Sequence, residues 1–457
     1  MTSAATTSAA TTSEVTRFRR RLAWIVVAAA VVRLLHLATK WNRPLQLNDS
    51  VWYSSMASGL RHGEFFRHLV VEGDPSAEHP PLAAILMTPG SFLPNWVQGQ
   101  RLTTVVAGVV GVGLIGLLGR RIGGARVGLL AAAIAAVYPN LWMNDGLVMS
   151  ESIAMAIVVG ALLMLHTLLQ RPSWPVAAGA GALLGAAALT RSELALLVPL
   201  AAALVIAHGR SRAAVLRAGA VVGVAVVVMA PWAAVNLARF ERPVLLTTND
   251  GTTLLGSYCD DIFSGANKGG WSVFCVFDAP DPGGDDSVRS AAQRSIAIGY
   301  ARDHVRDLPG VVVARVARAL DLYGLDDMVH GDVGEEKPRV FIWVGIVGWW
   351  LLMVPAAIGL TLVRRRDRWL LALPLLSGAT ATVLFYGGHR LRAPAEPVVV
   401  ILAAVTLCKI WQRYRPDADS DYDDSDNNGT SEGSSADGGG DHAGHPVGAG
   451  RAEVAGG

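Results

Sequence analysis

The sequence predicts an α-helical polytopic membrane protein with about ten transmembrane helices and a small α+β extracytoplasmic domain. Of its 457 residues, 52% are hydrophobic and only 17% are charged, which is too little polar surface to cover a water-soluble globule of this length. The mean hydropathy of +0.38 points the same way. The formal net charge of +2 excludes a strongly basic nucleic-acid-binding protein, so no nucleic-acid partner is expected.

Apolar stretches long enough to form membrane helices alternate with short polar connections along the chain. They lie at residues 22–38, 102–119, 127–142, 148–169, 175–190, 194–208, 213–233, 341–362, 368–386 and 394–412. Arginine and lysine recur in every second connection, so the positive-inside rule places both termini in the cytoplasm. The two stretches around Arg191 are near the lower length limit of about 17 residues, and a re-entrant pair would fit them as well as two spans do.

This topology leaves two large polar segments outside the membrane, where chemistry is expected. Residues 22–235 form the predicted transmembrane bundle, and residues 40–101 form its first outer loop. Residues 236–340 form the predicted extracytoplasmic domain, with an extended first half and a helical second half. Residues 341–412 complete the bundle as C-terminal transmembrane helices.

The two ends of the chain have the composition of disordered cytoplasmic tails. Residues 1–21 are a Ser/Thr/Ala tract that ends in arginines, and nothing in it would form a packed core. Residues 413–457 are rich in Asp, Gly and Ser, which predicts a disordered acidic tail. Asn428 begins a glycosylation sequon, but we discount it because it lies in a tail placed in the cytoplasm.

Cysteine usage predicts one disulfide. Three cysteines are too few for a disulfide framework or a four-cysteine zinc site. Cys259 and Cys275 both lie in the 236–340 segment, where an extracytoplasmic location permits oxidation. Because the loop between them is short, we expect them to pair, which leaves Cys408 as a free thiol.

The first outer loop presents a candidate carboxylate next to an aromatic ring. In "LNDSVWYSSMASGL", Asp49 and Tyr53 are four residues apart and therefore share one face of a helix beside the membrane. An acid at the lipid boundary is costly unless it is solvated or paired, which suggests a functional group. The alternative is that Asn48, Asp49 or Ser50 simply caps the helix that follows.

The same loop ends with an acid and an imidazole side by side. In "SAEHPPLAAIL", Pro80 and Pro81 hold Glu78 and His79 extended just before an apolar run. The two side chains would ligate a divalent metal ion or hold a phosphate. The alternative is an ordinary polar loop, because two ligands alone do not make a metal site.

Arginines on the predicted outer side need an explanation, since basic residues are scarce there. Arg191, Arg390 and Arg392 would each offer forked donors to an anion such as the phosphate of a lipid donor. In an extended "HRLR" segment, Arg390 and Arg392 would point the same way. The alternative is that they reach lipid headgroups or pair with Glu193 and Glu396.

Two further acids lie at the predicted outer end of the bundle. In "NDGLVMSES", Asp145 and Glu151 would hold a cation or orient hydroxyl groups of a substrate. The alternative is that Asp145 or Ser150 caps a helix.

The D-x-x-x-Y pattern at Asp49, followed by an acid, a basic residue and proline at Glu78, resembles the first periplasmic loop of the C-type membrane glycosyltransferases. The similarity is to the branch of aminoarabinose transferases and protein O-mannosyltransferases. The segments "NLARFERPVLLTTNDGTTLLGSY", "DHVRDLPGVVVARVARALDLYG", "LTRSE" and "HRLRAPAEPVVVILAAV" are similar to segments of these enzymes in order and side of the membrane. The resemblance covers most of residues 20–412.

The resemblance implies an inverting transfer of a sugar from a polyprenyl-phosphate donor to a lipid, glycan or protein acceptor on the outer face of the plasma membrane. Asp49 matches the catalytic aspartate of the family, which takes the acceptor proton. Glu78 matches an acid that helps to hold a metal, and His79 stands where aminoarabinose transferases carry a lysine against the donor phosphate. Ser50 replaces a second acid of the protein O-mannosyltransferases, which argues against a protein acceptor.

The predicted site therefore consists of one catalytic residue and three groups around it. Asp49 is the predicted base, and Glu78 is the predicted ligand of a divalent metal ion. The predicted ligands of the donor phosphate are His79, Arg191, Arg390 and Arg392. The predicted contacts to substrate are Tyr53, Asp145 and Glu151. Membrane lipids are the other expected partner.

Two other classes of protein would share this topology. A transporter or flippase of a lipid-linked sugar would carry its charged residues in mid-span around a central cavity, whereas most of those here lie at the outer ends. A non-catalytic envelope assembly protein would not need the acids and arginines. Replacing Asp49 by Asn separates the three classes, because only the enzyme would lose its activity.

Overall fold

The computed structural model describes residues 2–41, 43–46 and 49–414, with side chains from residue 13 onward. Apart from its first two residues, the predicted acidic tail lies outside the described residues, and so does the Asn428 sequon. The chain divides into a unit that spans Met1–Ile410 and a second unit, Trp411–Gly457, whose described part is helical. All contacts discussed below lie in the first unit.

Nine α-helices make up the described chain before residue 240. They are α1 (Thr2–Ala38), α2 (Asp49–Arg61), α3 (Leu82–Met87), α4 (Trp96–Val137), α5 (Pro139–Trp142), α6 (Glu151–Gln170), α7 (Trp174–Thr190), α8 (Leu197–Gly209) and α9 (Arg212–Arg239). Single turns of 3₁₀-helix at Thr88–Phe92 and Ser192–Leu196 follow α3 and precede α8.

Six shorter helices follow in the 236–340 segment, and four more complete the part of the chain that the structure describes. The six are α10 (Asn249–Leu255), α11 (Asp260–Phe263), α12 (Phe274–Phe277), α13 (Asp286–Asp303), α14 (Leu308–Ala319) and α15 (Leu325–Gly334). The four are α16 (Arg339–Leu362), α17 (Arg365–Leu384), α18 (His389–Arg392) and α19 (Glu396–Tyr414).

Seven helices within the described residues are long and apolar enough, by length and composition, to cross a membrane. They are Ser13–Ala38, Trp96–Val137, Glu151–Gln170, Ser192–Gly209, Arg212–Arg239, Arg339–Leu362 and His389–Tyr414. The protein is thus a multi-pass membrane protein. Every predicted apolar stretch falls on a helix, but α7 and α17 do not meet the same criteria, so the count of ten spans stays a prediction.

Small residues let the helices of the bundle approach closely, which is how membrane helices pack in the absence of a hydrophobic driving force. A Cβ atom on Gly181 of α7 would lie 2.4 Å from the carbonyl oxygen of Val221 in α9. One turn later, a Cβ on Gly185 would lie 2.7 Å from the oxygen of Ala225. Alanine at either position would therefore force α7 and α9 apart.

A kink joins two of the predicted spans into one long helix. α4 covers the 102–119 stretch and most of the 127–142 stretch, whose end forms α5, and within α4 only Gly124 leaves the helical conformation, with φ 87°. A residue with a side chain rarely adopts this φ, whereas glycine does so without a steric penalty.

The 236–340 segment is helical and not α+β as predicted. The segment contains no strand, and the rest of the described chain has a single isolated β-bridge, between Arg67 and Pro75. The extended residues before α10 satisfy their backbone through side chains: the amide of Glu241 donates to Asp285 and that of Arg242 donates to Ser287, each at 2.8 Å. Without a neighbouring strand, these residues cannot form a sheet.

The N-terminal region also differs from its prediction. In place of a disordered tail at residues 1–21, α1 continues back to Thr2. Helix formation is costly to start but not to extend, so residues before the apolar half can continue a helix that has already formed. The alanines in this segment favour that extension, because alanine has the highest helix propensity. By contrast, the predicted disulfide between Cys259 and Cys275 is confirmed, and Cys408 is free.

Candidate active site

A cavity of about 480 Å³ lies where the loops of the bundle meet the 236–340 segment. Asp49, Tyr53 and His79 contribute to one wall, together with Arg191 and Arg390. Five of the nine predicted site residues thus line one space, although they come from four separate parts of the chain.

Asp49 is the first residue of α2, and its side chain is 26% exposed on the cavity. Its Oδ2 atom is 2.7 Å from Nη2 of Arg390 and 3.6 Å from Nε2 of His79. Burial alone would raise the pKa of Asp49, but Arg390 and His79 outweigh burial and hold that pKa well below its usual range. The carboxylate is therefore ionised and able to accept a proton.

His79 is fixed by aromatic neighbours. Its ring stacks on Tyr53 with ring centroids 4.9 Å apart and meets the edge of Trp52 at 5.1 Å. Burial opposes protonation of this imidazole, but Asp49 and Glu78 outweigh it, so the pKa of His79 is raised. A protonated His79 would add positive charge to the cavity wall.

Asp49, Glu78 and His79 together resemble the ligand set of a divalent metal ion. One ligand atom from each lies within 4.8 Å of the others, and Glu78 is 44% exposed. Nε2 of His79 is buried and has no hydrogen-bond partner among the described residues. Two carboxylates and an imidazole nitrogen are suitable donors for such an ion, so the residues fit a cation after a small adjustment.

Two arginines form the cationic part of the site, and one glutamate joins them. Arg390 donates from Nε to Oε1 of Glu151 at 2.9 Å, and Arg191 donates from Nη1 to the same oxygen at 2.6 Å. Arg191 also donates to Glu193 at 2.6 Å, and Nη1 of Arg390 is 3.4 Å from Glu335. Glu151 is 2% exposed, so it orients the two guanidinium groups from behind the wall and does not face the cavity.

Arg392 points away from this cavity, which corrects the prediction of an extended "HRLR" segment. Residues 389–392 form the helical turn α18, where residues two apart point in different directions. Arg392 donates to Asp321 at 2.9 Å and to Glu396 at 2.7 Å, and its guanidinium carbon lies 3.8 Å from the ring centre of Trp349. Its charge is already neutralised inside the protein.

Asp145 does not reach the cavity either. It accepts a hydrogen bond of 2.6 Å from Nε of Arg33, and both side chains are 1% exposed. The two charges neutralise each other inside the bundle, and the pair joins α1 to the loop between α5 and α6.

The residues in or next to the site that the sequence did not predict come mainly from the 236–340 segment. Asp250 and Arg294 line the cavity on that side and form an ion pair. Behind α18, His389 lies between Asp321 and Asp332, 2.6 Å from each. The partners are more than 40 residues apart in each case, so no local motif could reveal them.

Residues 78–235 match the family model described as dolichyl-phosphate-mannose-protein mannosyltransferase. The match includes Glu78 and His79, but it begins after Asp49 and ends before Arg390. No curated protein sequence matches the chain.

Solved structures resemble the whole fold. The Archaeoglobus fulgidus oligosaccharyltransferase in its apo form matches with a TM-score of 0.54 at 15% identity, over 88% of this chain and 52% of the archaeal chain. The fold is that of a C-type membrane glycosyltransferase. The predicted resemblance is confirmed at this level, and the chain spans about half the length of the archaeal enzyme.

Two other solved structures that match the chain carry ligands. The Archaeoglobus fulgidus oligosaccharyltransferase AglB in complex with an inhibitory peptide and a dolichol-phosphate matches with a TM-score of 0.52 at 15% identity, over 91% of this chain and 52% of that chain. ArnT from Cupriavidus metallidurans bound to undecaprenyl phosphate has a TM-score of 0.41 at 16% identity, over 87% of this chain and 79% of that chain.

Proposed function

We propose that the protein is an inverting membrane glycosyltransferase that moves a sugar from a polyprenyl-phosphate donor to an acceptor on the outer face of the plasma membrane. The observation that carries this proposal is the cavity in which an ionised Asp49 and two arginines face the same space. The C-type fold and the match to a mannosyltransferase family support it. The excess of arginine in the opposite connections supports the outer location.

Asp49 is the proposed general base. An acceptor hydroxyl oxygen attacks the anomeric carbon of the donor while its proton passes to the Asp49 carboxylate, and the bond from that carbon to the phosphate oxygen breaks. Polyprenyl phosphate leaves with the bonding electrons. Because the attack comes from the face opposite to the phosphate, the configuration at the anomeric carbon inverts. A positioned base of this kind contributes about 10²–10⁴-fold to the rate.

Arg390 and Arg191 are the proposed ligands of the phosphate. The phosphate gains one negative charge as the sugar leaves. Guanidinium groups that are already in place therefore bind the transition state more tightly than they bind the intact sugar donor. Glu151 holds both guanidinium groups in place, which means that they need not reorganise during the reaction. His79, when protonated, adds a third positive charge beside Asp49.

Asp49, Glu78 and His79 would hold a divalent cation in place of the proton of His79, because an imidazole nitrogen binds a metal ion only when it is unprotonated. Bound there, such an ion would supply positive charge beside the donor phosphate. One structure of the archaeal oligosaccharyltransferase is a complex with Zn and sulfate, which is consistent with this site.

The test combines loss of the gene with assay of the purified protein. Mass spectrometry of envelope glycolipids and glycans from deletion cells should show a missing sugar that the wild-type gene restores. Asp49→Asn should fail to restore it, whereas Asp303→Asn, which changes an exposed acid of α13, should succeed. Purified protein that transfers no sugar from any of a panel of polyprenyl-phosphate sugars to envelope extracts would refute the proposal.

A further inference from the structure

The cavity has two chemically different walls. The wall from the bundle carries the ionised Asp49 and the two arginines described above. The other wall comes from residues 243–294, where four apolar residues at 243–246 are followed by hydroxyl and amide side chains, among them Thr247, Asn249 and Ser290. We call this second surface the hydroxyl wall.

The hydroxyl wall begins directly beside the proposed catalytic residues. Thr247 donates a side-chain hydrogen bond to the carbonyl oxygen of Glu78. The amide of Thr248 donates to the carbonyl oxygen of Ala77 at 2.8 Å. A group bound along this wall would therefore lie next to the loop that carries Glu78 and His79.

The wall is rigid before any ligand binds. The hydroxyl of Ser290 in α13 donates to Asp250 at 2.9 Å and accepts from the amide of Gly251 at 3.2 Å. A Cβ atom on Gly251 would lie only 2.2 Å from the Ser290 carbonyl oxygen, so α10 and α13 touch backbone to backbone. A preorganised surface of this kind loses little entropy when it binds a ligand.

The hydroxyl wall has no net charge. Asp250 and Arg294 are the only charged side chains among its lining residues, and they form an ion pair with each side chain about one-third exposed (37% and 36%). The carboxylate can accept hydrogen bonds from hydroxyl groups, and the guanidinium can donate to their oxygens. A phosphate would instead go to the bundle wall, where two arginines face the cavity.

The cavity also has an aromatic part to its lining. Phe385 and Tyr386, at the end of α17, line the same cavity. A hydroxylated ring with apolar C–H faces can rest against aromatic rings while its hydroxyl groups reach polar side chains.

We propose that the hydroxyl wall binds a neutral sugar ring and that the Asp250–Arg294 pair selects its hydroxyl groups. This inference rests on the proposed function, because the ring belongs either to the donor or to a glycan acceptor of the same reaction. It assigns to the 236–340 segment a binding role separate from the phosphate contacts of Arg390 and Arg191.

The test uses Asp250→Asn and Arg294→Gln, with Arg289→Gln as the matched control. Arg289 lies on the same helix as Arg294, pairs with Asp286 and does not line the cavity. Each test variant should lower kcat/KM for transfer about 10-fold, as expected for the loss of one or two hydrogen bonds to a ligand, while binding of undecaprenyl phosphate, which lacks a sugar, stays unchanged. A higher KM for the sugar donor alone would show that the ring is the donor's, and a higher KM for the acceptor alone would show that it is the acceptor's.

The assignment would be overturned if the variants weakened undecaprenyl phosphate binding as much as they lowered kcat/KM for transfer. Unchanged transfer in both variants would also overturn it. A second measurement does not depend on turnover. Saturation-transfer NMR should detect methyl pyranosides bound to the wild-type protein and to Arg289→Gln, and binding should be lost in Asp250→Asn. If sugar binding follows this pattern but no transfer occurs, the wall assignment stands and the proposed function fails. If transfer occurs without this dependence on Asp250, the reverse holds.

Discussion

The short turn α18 separates two clusters of charged residues that look alike in the sequence. The cavity cluster consists of Asp49, Glu78, His79, Arg191 and Arg390. The buried cluster consists of Asp321, Asp332, His389, Arg392 and Glu396. Each contains acids, arginine and a histidine, and α18 contributes an arginine to both.

The clusters differ in access to the cavity. The Asp49 and Arg390 side chains are 26% and 22% exposed, whereas Asp321 is fully buried and Arg392 is 7% exposed. In the buried cluster, both ring nitrogens of His389 are 2.6 Å from a carboxylate oxygen, and only the protonated imidazole can donate to both. Lys337, whose Nζ is 2.8 Å from Asp332, supplies a further positive charge. Each acid of the cluster thus has a cationic partner inside the protein, and the cluster fixes the turn from which Arg390 reaches Asp49.

This difference gives the cavity cluster and the buried cluster different expected roles, the first in activity and the second in stability. Charges that face a cavity can exchange a protein partner for a substrate, whereas charges enclosed by protein can only keep their partner or lose stability. Substitutions in the cavity cluster should therefore change activity, and those in the buried cluster should change folding.

The largest effect is expected for Asp49→Asn. Transfer should fall about 10²–10⁴-fold, because the amide cannot take the acceptor proton. Folding should be unaffected, since Arg390 keeps Glu151 and Glu335 as partners. Transfer rates of the purified protein measure the loss of activity, and thermal unfolding measures the stability, with Asp303→Asn as the control. A loss of stability equal to the loss of activity would remove the distinction between the clusters.

Arg392→Gln should have the opposite signature. It leaves the buried Asp321 carboxylate without one of its cationic partners, and breaking a buried ion pair costs about 3–5 kcal/mol of unfolding free energy. Unfolding in detergent measures this loss, and Arg302→Gln on the surface of α13 provides the control. A stable Arg392→Gln protein that has lost transfer would place Arg392 in the active site after all.

Arg390→Gln should slow transfer about 10²–10³-fold, as for removal of one donor to a developing negative charge. The effect should appear in kcat more than in the affinity for the donor, because the phosphate charge grows in the transition state. Arg390→Lys should recover little, since a lysine cannot contact Asp49 and Glu151 with one planar group. Full activity of the lysine variant would argue for a simple charge effect.

The smallest effect concerns pH. The pKa of Asp49 is depressed, so the active, ionised form should persist in the wild type as pH falls below the ordinary value of about 3.9 for aspartate. Without Arg390, mainly His79 would oppose the effect of burial on the Asp49 carboxylate, so the pKa of Asp49 should rise. The acid limb of kcat/KM should therefore move to higher pH in Arg390→Gln, whereas Arg302→Gln should leave it in place. An unmoved limb would mean that another group limits the rate.

Local signals in the sequence predicted much of the bundle and one part of the site. Apolar stretches fall on helices because a membrane helix satisfies its backbone within itself. Asp49 and Tyr53 line one cavity because four residues make about one helical turn, and Glu78 and His79 join them from the next loop. The Cys259–Cys275 disulfide was predictable from the short separation and the shared segment.

The partner of each charge was decided by the tertiary structure. Asp145 and Glu151 are six residues apart and looked equivalent, yet Asp145 pairs with Arg33, 112 residues away, and Glu151 contacts Arg390, 239 residues away. Likewise, Arg390 and Arg392 looked like one clamp until α18 turned them apart. Hydrophobic length and helical periodicity act within a few turns and can be read along the chain. Ion pairs depend on which helix ends the packing brings together, and that is a property of the whole fold.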